Sequence, residues 1–557
     1  MKLKIENGSV RIESTGLELL KLKSKFTQRL GPILSFGKDF IAFPISALSL
    51  VADLIDHNNA DQLIQDSLAL TGLHESARVK TLEIMDNPHE PSLPGDWSNI
   101  LDPAQATAVE SMTVVNLLGL CLFDEQGSGK TVMTIAAFDI LKRRNEIDAM
   151  IVVCPKSMVS EWPKDIAKFL GSECKVEIAE GDRRQKYEAA MRDFDVLITN
   201  YEGVEAMLVS LTASASAHRY LLVVDESFYL KNSASFRSET VSKLRDKCKK
   251  CYVLCGTPAP NSSHDLVNQF NLADLGYTFG GFRKSKDPAL DWDKIASLIE
   301  TRGVFIRRLK SEILQHVPEK NFHVIRVELT GKQALMYETA RSQLELELRS
   351  LNNETFKKRL VTYFQKRAAL LQICSCPSAI DPTISETAVK YLVLDKLLHE
   401  LISQGRKVIL WSFYRKSLDE VYSRYSKYNP VRVDGSIPSS IRKEAVRSFQ
   451  EDSSKMLFIG NPAAAGAGIT LHAAYDAIYL SYSNQAAHYL QSLDRIHRRG
   501  QISDKVNYYL LICRNTIEET EIIRLRGKEI RQHDLLGDHI VWPTSLDDAL
   551  GELGSHV

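Results

Sequence analysis

Short apolar runs separated by helical segments recur in two blocks of this 557-residue chain, and this alternation limits the folds open to it. In the first block, residues 100 to 275, the runs are CLFDEQG, AMIVVCP, FDVLITN, YLLVVDE and CYVLCGT. In the second block, residues 405 to 515, they are KVILWSFY, PVRVDG, KMLFIGN, DAIYLSY and VNYYLLIC. Such runs are typical of strands in a parallel sheet whose two faces are both covered by helices. The sequence therefore predicts an α/β protein with two parallel-sheet lobes.

The segments around these blocks predict the domain organisation. The N-terminal region contains short strand-like pieces and then a helical stretch from Ile45 to Leu73, and the loop DNPHEPSLPGDWSN closes it. The region between the blocks is mainly helical, with a long amphipathic stretch from Lys332 to Leu371. We predict a small α+β N-terminal domain at 1–95, a first lobe at 96–280, a helical region at 281–395, a second lobe at 396–535 and a tail at 536–557.

Composition excludes several classes of protein. The chain has 70 Lys and Arg residues against 70 Asp and Glu residues, so a nucleic-acid partner must be held by local basic surfaces. The beginning of the chain has no apolar segment of the kind found in secretory signals, and Phe40 to Ile55 is too short to span a bilayer. Nine scattered cysteines indicate reduced thiols in a cytoplasm or a nucleus, and not a disulfide framework.

One cysteine cluster, KCKKCYVLC, raises the alternative of a zinc site at Cys248, Cys251 and Cys255. Against it, Tyr252 to Cys255 reads as a buried strand, and no second Cys or His pair lies close by in the sequence.

The motif DEQGSGKT lies between an apolar run and a helical segment, which is the setting of a phosphate-binding loop. Gly127 and Gly129 allow backbone N–H groups to surround phosphates, and Lys130 adds a positive charge. The Thr131 hydroxyl is suited to holding Mg²⁺. The usual pattern is incomplete, because Asp124 stands at the first glycine position.

The apolar run YLLVVDES ends in two carboxylates. Asp225 is expected to hold Mg²⁺ through water, and Glu226 to polarise the attacking water as general base. Alternatively, the acidic pair caps the next helix. Together with the phosphate loop, the pair indicates a nucleoside triphosphatase.

The segment QSLDRIHRRGQ supplies arginines, because Arg495 and Arg498 are three residues apart on one face of a helical turn. They are predicted to act as arginine fingers on the transferring phosphoryl group, across a cleft from Lys130. The alternative is a solvated basic helix end.

Together these motifs resemble the Swi/Snf family of DNA translocases in helicase superfamily two, over residues 100 to 535. DEQGSGKT resembles the family's DEMGLGKT, and VLCGTPAPN resembles its LTGTP motif. KVILWSFYR, AAAGAGITLHAA and QSLDRIHRRGQ are similar to motifs IV, V and VI. The last is the most diagnostic, since Swi/Snf proteins carry QxxDRxHRxGQ. The resemblance implies two tandem RecA-like lobes with a helical insertion.

The resemblance also implies cofactors, a partner and site residues. It implies ATP and Mg²⁺ as cofactors, and duplex or branched DNA gripped along its backbone with little sequence preference. The implied nucleotide-binding residues are Gln105, Asp124, Glu125, Gln126, Gly127, Ser128, Gly129, Lys130, Thr131 and Gly468. Catalysis is assigned to Lys130, Asp225, Glu226, Gln491, Arg495 and Arg498. The implied DNA contacts are Ser157, Tyr201, Ser412 and Thr470. Basic patches at Arg307, Arg308 and Lys310, or at residues 357–359, either line the DNA path or are solvated.

Two departures qualify the resemblance. The family's DEAH or DEGH is DESF here, so Phe228 replaces the histidine that links ATP to motif III. The chain also lacks the additions typical of nucleosome remodellers, which favours a small bacterial or phage-type enzyme. Residues 1–95 either recognise branched DNA or form a stabilising cap on the first lobe. The alternatives to a translocase are a strand-separating helicase and a DNA-binding scaffold with a degenerate motor.

Overall fold

The structure is a computed structural model that describes residues 2–554 apart from several segments. The segments outside the description are 7–8, 31–33, 45–47, 49–50, 52–53, 55–61, 88–90, 92, 216, 231, 257, 260–262, 280–281, 283, 286–287, 310–317, 465–468, 483–485, 499–500 and 532–545. The chain forms two compact units, Met1–Ile313 and Leu314–Val557, which are described in turn.

The first unit begins with a small module in which an antiparallel sheet packs against one helix. Its elements are β1 (Lys2–Glu6), β2 (Ser9–Glu13), α1 (Gly16–Leu30), β3 (Ser35–Phe36) and β4 (Phe40–Pro44). The strand order is β1-β2-β4-β3, with antiparallel pairing throughout. Alternate side chains of β2 and β4 point to α1 and form a core of their own, made mainly of Val10, Ile12, Ile41, Phe43, Leu19 and Phe26. The predicted strand pieces are thus present, whereas α1 was not expected.

Three helices of the first lobe follow this module in the chain. The helices that precede its sheet are α2 (Gln62–Asp86), α3 (Gly95–Ile100) and α4 (Pro103–Met112). Ala77 and Ile84 of α2 are buried in the core of the lobe. The buried His74 accepts a hydrogen bond at Nδ1 from the backbone N–H of Leu118, 3.2 Å away. The predicted helical stretch from 45 to 73 falls largely outside the described residues before Gln62.

A seven-stranded parallel sheet forms the centre of the first lobe. Its strands are β5 (Gly119–Leu122), β6 (Ala149–Cys154), β7 (Val176–Ala179), β8 (Val196–Asn200), β9 (Tyr220–Asp225), β10 (Lys250–Leu254) and β11 (Phe305–Ile306). Their order is β11-β5-β10-β9-β6-β8-β7, and every pairing is parallel. The helices around it are α5 (Lys130–Arg143), α6 (Trp162–Leu170), α7 (Arg183–Met191), α8 (Val204–Ser214), α9 (Phe236–Arg245), α10 (His264–Asp274) and α11 (Pro288–Arg302).

The five predicted strands of the first block are confirmed as β5, β6, β8, β9 and β10. All residues of β5, β6, β9 and β10 are buried, as expected for strands covered on both faces. The two outer strands β7 and β11 were not predicted. β7 is partly exposed and β11 has only two residues, so neither produces a continuous apolar run.

The second unit contains a six-stranded parallel sheet. Its strands are β12 (Glu319–Val327), β13 (Val408–Trp411), β14 (Val431–Val433), β15 (Leu457–Gly460), β16 (Asp476–Tyr479) and β17 (Lys505–Cys513), in the order β12-β17-β16-β13-β15-β14. Its helices are α12 (Gly331–Arg349), α13 (Asn353–Lys358), α14 (Leu360–Ser375), α15 (Val389–Ser403), α16 (Arg415–Arg424), α17 (Ser439–Glu451), α18 (Ala486–Leu493), α19 (Ile517–Arg531) and α20 (Leu546–Gly554). The five strands predicted in the second block are all present, and the predicted α/β class with two parallel-sheet lobes is confirmed.

The region predicted as mainly helical contains one long strand. β12 pairs in parallel with β17 over its whole length and forms an edge of the second sheet. Because an edge strand keeps much of its surface in solvent, its side chains alternate irregularly and hide the strand signal. The amphipathic stretch from Lys332 to Leu371 is helical, as expected, but it is divided among α12, α13 and α14.

Two buried ion pairs fasten the helices before the second lobe to the helix that follows its last strand. Arg367 of α14 bonds Glu521 of α19 at 2.7 Å, and Lys390 of α15 bonds Glu518 of α19 at 2.6 Å. All four side chains are almost fully shielded from solvent. Removing one partner of either pair would leave an uncompensated buried charge and be strongly destabilising.

No helix among the described residues is both long enough and apolar enough to cross a membrane.

We predict that His74 makes the stability of the first unit depend on pH. Burial lowers the pKa of His74 from 6.5 to about 3, so the folded chain keeps the ring neutral while the unfolded chain protonates it below pH 6.5. The stabilisation is therefore complete above pH 6.5 and is lost as the pH falls toward 3. The loss should approach about 1.4 kcal/mol per pH unit. Urea unfolding at pH 7.0 and 5.5 should show a smaller pH effect in His74→Gln than in the wild type.

The exposed His218 provides the control for this measurement. His218→Gln should keep the pH effect of the wild type. An equal pH effect in His74→Gln and the wild type would contradict the assignment.

Candidate functional site

The predicted nucleotide-binding motifs meet at the carboxyl edge of the first sheet. DEQGSGKT follows β5, Asp225 ends β9, and Gly256 follows β10. β10 lies between β5 and β9 in the sheet, so the three segments are neighbours although they are distant in sequence. The carboxyl edge of a parallel sheet is where ligands bind in folds of this class.

The phosphate loop has the backbone conformation that its glycines were expected to supply. Gly127 and Gly129 adopt φ values of 87° and 91°, which other residues rarely adopt. A Cβ on Gly129 would also lie only 2.3 Å from Nε2 of Gln105. α5 begins at Lys130 without a side-chain cap, so its first-turn amides remain available to an anion.

The side chains of this loop fit a nucleoside triphosphate with Mg²⁺. Lys130 donates from Nζ to the carbonyls of Asp124 and Glu125, at 2.7 and 3.0 Å, which keeps its charge at the loop. Ser128 Oγ is buried and has no hydrogen-bond partner among the described residues, which suits a site that a ligand completes. Thr131 lies in the first turn of α5, the position from which a hydroxyl serves Mg²⁺ in phosphate loops.

Asp124, which replaces the usual glycine, is held by Arg308. The carboxylate is fully buried and accepts from the backbone N–H of Arg308 at 2.9 Å and from its Nε at 3.2 Å. A second guanidinium nitrogen of Arg308 bonds the other oxygen of Asp124, and the third bonds the carbonyl of Ala104. The neighbouring Arg307 donates to the carbonyls of Phe123 and Gly256. The two arginines therefore connect three loops of the nucleotide site.

The structure shows what two residues of the basic patch at Arg307, Arg308 and Lys310 contact. The side chains of Arg307 and Arg308 bond the phosphate loop and its neighbours, so they are not simply a solvated face, and a DNA path along them stays a prediction. Lys310 lies outside the described residues. Nothing in the local sequence signals these bonds, because Arg308 and Asp124 are 184 residues apart.

The two carboxylates that end β9 are buried and each accepts a side-chain hydrogen bond. Trp162 donates from Nε1 to Asp225 at 3.0 Å, and Gln126 donates from Nε2 to Glu226 at 2.9 Å. Burial raises the pKa of Asp225 above its ordinary value, against the hydrogen bond from Trp162 and the charge of Lys130. A divalent cation at this carboxylate would favour its ionised form.

The backbone of Glu226 is strained, and Tyr201 secures it. Glu226 adopts a φ of 54°, which costs about 1–3 kcal/mol for a residue other than glycine. The buried Tyr201 donates its hydroxyl to the carbonyl of Asp225 and also lies 3.3 Å from the carbonyl of Glu226. Tyr201 thus orients the peptide that carries both carboxylates. The DNA contact assigned to it stays a prediction.

Gln105 is committed to the protein at both ends of its amide. Its Oε1 accepts from the backbone N–H of Asp102 at 3.2 Å, within the capping box of α4. Its Nε2 donates to the carbonyl of Ser128 at 2.9 Å. Gln105 therefore joins the beginning of α4 to the phosphate loop. Its role in nucleotide binding stays a prediction.

The arginines of the second unit converge on one carbonyl. Arg495 is almost fully buried and donates to the carbonyl of Ile469 at 2.9 Å, and Arg498 approaches the same oxygen at 3.4 Å. Arg495 therefore holds the two motifs of the second lobe together. Burial also lowers the pKa of Arg498, which is nonetheless the more accessible of the two arginines. Gln491 is buried, with an amide nitrogen that has no partner among the described residues.

Ser157, Thr470 and Ser412 are the predicted DNA contacts other than Tyr201. Ser157 occupies a turn after β6, and Thr470 is half-buried, with a carbonyl that accepts from Gln450. Ser412 is fully buried after β13, and its hydroxyl lies 3.1 Å from that of Ser481. Gly468 lies outside the described residues.

The cysteines offer little support for a metal. Cys248, Cys251 and Cys255 are buried and do not form a group of close metal donors within the described chain. The group that the described residues do form is Cys374, Cys513 and Glu518, whose donor atoms lie within 4.8 Å of one another. Lys390 already neutralises Glu518 there, so we assign no metal to it.

Comparison with protein families identifies both units. The family described as SNF2-related domain matches residues 59–379, and the helicase conserved C-terminal domain matches residues 389–500. The small module of β1–β4 and α1 precedes both matches.

Several proteins resemble the chain over about three quarters of its length. The ISWI chromatin-remodeling complex ATPase ISW1 of Saccharomyces cerevisiae is 27% identical over 74% of this chain and 38% of its own. The human SWI/SNF-related matrix-associated actin-dependent regulator of chromatin subfamily A member 1 is 30% identical over 73% of this chain and 40% of its own. An uncharacterized ATP-dependent helicase of Mycoplasma pneumoniae is 27% identical over 72% of this chain and 39% of its own. The chain thus spans about two fifths of the length of these relatives.

Among solved structures, the Sulfolobus solfataricus SWI2/SNF2 ATPase core in complex with dsDNA covers 84% of this chain and 98% of its own, at 22% identity and a TM-score of 0.36. The same ATPase core domain alone covers 82% of this chain, at 23% identity and a TM-score of 0.35.

We predict that Arg308→Lys raises the KM for ATP about 10-fold with a smaller change in kcat. Lysine keeps the charge but cannot reproduce the two-point bond to Asp124, so the phosphate loop loses its fixed position. Steady-state kinetics with varied ATP would measure this.

The control is Arg424→Lys, because Arg424 also holds a carboxylate, that of Asp395, through two nitrogens, but on the surface of the second unit. The prediction fails if the KM of Arg308→Lys equals that of the wild type, or if Arg424→Lys changes KM as much.

Proposed function

Because the chain belongs to the family of the SNF2-related domain, we propose that it is an ATP-dependent DNA translocase of the Swi/Snf type. The observation that carries this proposal is the convergence of the phosphate loop with Asp225 and Glu226 at one edge of the first sheet. A second lobe that matches the helicase conserved C-terminal domain supports it, because a motor of this type needs both lobes.

The residues of the first unit divide the chemistry of ATP hydrolysis among them. The phosphate loop and Lys130 bind the phosphates, and Thr131 and Asp225 would hold Mg²⁺, which offsets the charge of the phosphate oxygens. Glu226 orients the attacking water and accepts its proton. Trp162, Tyr201 and Gln126 hold the two carboxylates in place through hydrogen bonds.

The second unit contributes positive charge to the reaction. We assign the role of arginine finger to Arg498 in particular, because Arg495 is more deeply buried and is committed to the carbonyl of Ile469. Gln491 precedes them at the end of α18 and would support the same motif.

The proposed track is duplex or branched DNA, held through its phosphates with little sequence preference. Ser157, Thr470, Tyr201 and Ser412 are the proposed DNA contacts. The side chains of Ser157 and Thr470 are half-buried, whereas those of Tyr201 and Ser412 are buried. Such a motor could regress forks, migrate branches or anneal strands, or displace proteins from DNA. We place it in the cytoplasm, or in the nucleus of a eukaryote, where nine free thiols such as these stay reduced.

Two rival functions lead to different measurements. A strand-separating helicase would open a fluorescently labelled duplex, whereas a duplex translocase displaces the third strand of a triplex and leaves the duplex closed. The Mycoplasma relative is named a helicase, which makes this comparison necessary. A scaffold with a degenerate motor would bind DNA without turning over ATP.

We predict that duplex DNA stimulates ATP hydrolysis by this protein, and that Lys130→Ala and Glu226→Gln abolish it. Lysine supplies charge to the phosphates and glutamate is the general base, so neither can be removed. Phosphate release with and without DNA is the measurement. If no nucleic acid stimulates the wild type, the translocase proposal is wrong.

We predict that Arg498→Ala lowers kcat by about 10³-fold or more, as expected when an arginine finger is lost. Arg447→Ala is a suitable control, because this exposed arginine pairs only with Glu444 and Glu451 on its own helix among the described residues. An unchanged kcat in Arg498→Ala would refute the assignment.

A further inference from the structure

A buried hydrogen-bonded path leads from the residue after Glu226 to the loop after β10. Ser227 donates its hydroxyl to Oε1 of Gln269, 2.5 Å away. Gln269, on α10, donates from Nε2 to the carbonyl of Pro258 at 2.6 Å. Three segments that are separate in sequence, the end of β9, the loop after β10 and α10, are therefore joined by one amide.

The path is fixed within the protein interior. Both Ser227 and Gln269 are completely shielded from solvent. The amide nitrogen of Gln269 also donates to the carbonyl of Asp265 at 2.8 Å, in the preceding turn of α10, which holds the side chain in one orientation. A buried amide of this kind is costly to leave unpaired, so the path persists only because each of its polar atoms is bonded.

The side chain at position 228 makes no such connection. Phe228 is buried and its ring stacks on that of Tyr229, with centroids 4.3 Å apart. An aromatic hydrocarbon ring can neither donate nor accept a conventional hydrogen bond. The polar connection from this segment to the loop after β10 is made one residue earlier, by Ser227.

The position of Ser227 gives the path a direct effect on Glu226. Glu226 has a strained backbone, and such a conformation persists only when its neighbours hold it. Tyr201 bonds the carbonyls of Asp225 and Glu226, and the hydroxyl of Ser227, the next residue, bonds Gln269. Gln126 links Glu226 to the same loop, because its side chain packs against Gly256, where a Cβ would lie 2.5 Å from Cγ of Gln126.

We propose that Ser227 and Gln269 are positioning residues that fix the general base Glu226 against the loop after β10, in place of a link through side chain 228. The proposal rests on the proposed function, since it assigns to this pair the transmission of DNA binding to ATP hydrolysis. Among the described residues, neither Ser227 nor Gln269 has a hydrogen bond to the phosphate loop, so we expect loss of the pair to affect turnover and to leave ATP affinity intact.

The test uses the full chain with Ser227→Ala, Gln269→Leu and the double variant. We expect the basal kcat of each single variant to fall and its DNA-stimulated kcat to fall further, on the order of 10-fold, so that the ratio of stimulated to basal rates falls as well. The KM for ATP and the Kd for duplex DNA should stay within about 2-fold of the wild type, as expected if binding energy is unaffected. The double variant should be no worse than the single variants, because the two residues act as a unit.

Ser238→Ala is the matched control. Ser238 is also fully buried and donates to the carbonyl of Leu230 at 3.1 Å. Leu230 ends the short helical segment Ser227–Leu230 that Ser227 begins. It should lower the melting temperature by about as much as Ser227→Ala and leave the ratio of stimulated to basal rates unchanged.

Three results would overturn the proposal: a wild-type ratio in both single variants, a rise in the KM for ATP at unchanged kcat, or an equal loss of ratio in Ser238→Ala. A wild type that DNA does not stimulate would instead overturn the proposed function. In that case the basal kcat still tests the positioning role of Ser227 and Gln269. This role requires the basal kcat to fall in both single variants at constant ATP affinity.

Discussion

Burial of the first sheet on both faces is the constraint on which the rest of the nucleotide site depends. β5, β9 and β10 are wholly buried because helices cover the sheet on both sides, and charge is costly along such strands. The chemistry must then lie where the strands end. Parallel direction brings all these ends to one edge, which places the phosphate loop, the carboxylates and Gly256 beside one another.

Charged groups at such an edge need partners, and the structure supplies them from distant parts of the chain. Asp124 is neutralised by Arg308, Asp225 accepts from Trp162, and Glu226 accepts from Gln126. The protein itself supplies these bonds, so they orient the groups by contacts within the chain. Preorganisation of this kind lowers the entropic cost of ordering the site when a ligand binds. It also explains how a loop with an aspartate at its first position keeps the shape of a phosphate cradle.

Much of the fold and the motifs of the site could be predicted from local sequence. The ten apolar runs all form strands, because a short buried run between helical segments fits few structures other than a strand of a covered sheet. The prediction failed where the local signal is weak. β12 is a half-exposed edge strand, and β11 has two residues. The partners of the catalytic residues were also missed, since the contacts of Arg308 with Asp124 and of Gln269 with Ser227 span 184 and 42 residues.

The sequence by itself determined ten of the strands, the position of the loop with the phosphate-binding pattern and the two carboxylates at the end of β9, because spacing and hydrophobic pattern are local properties. Only the tertiary structure decided that Arg307 and Arg308 turn inward to the phosphate loop, and that Tyr201 serves the backbone of Glu226. The same holds for Ser227, whose hydroxyl finds its acceptor on α10. The physical reason is that the role of a buried polar side chain depends on its hydrogen-bond partner, and that partner can lie anywhere in the sequence.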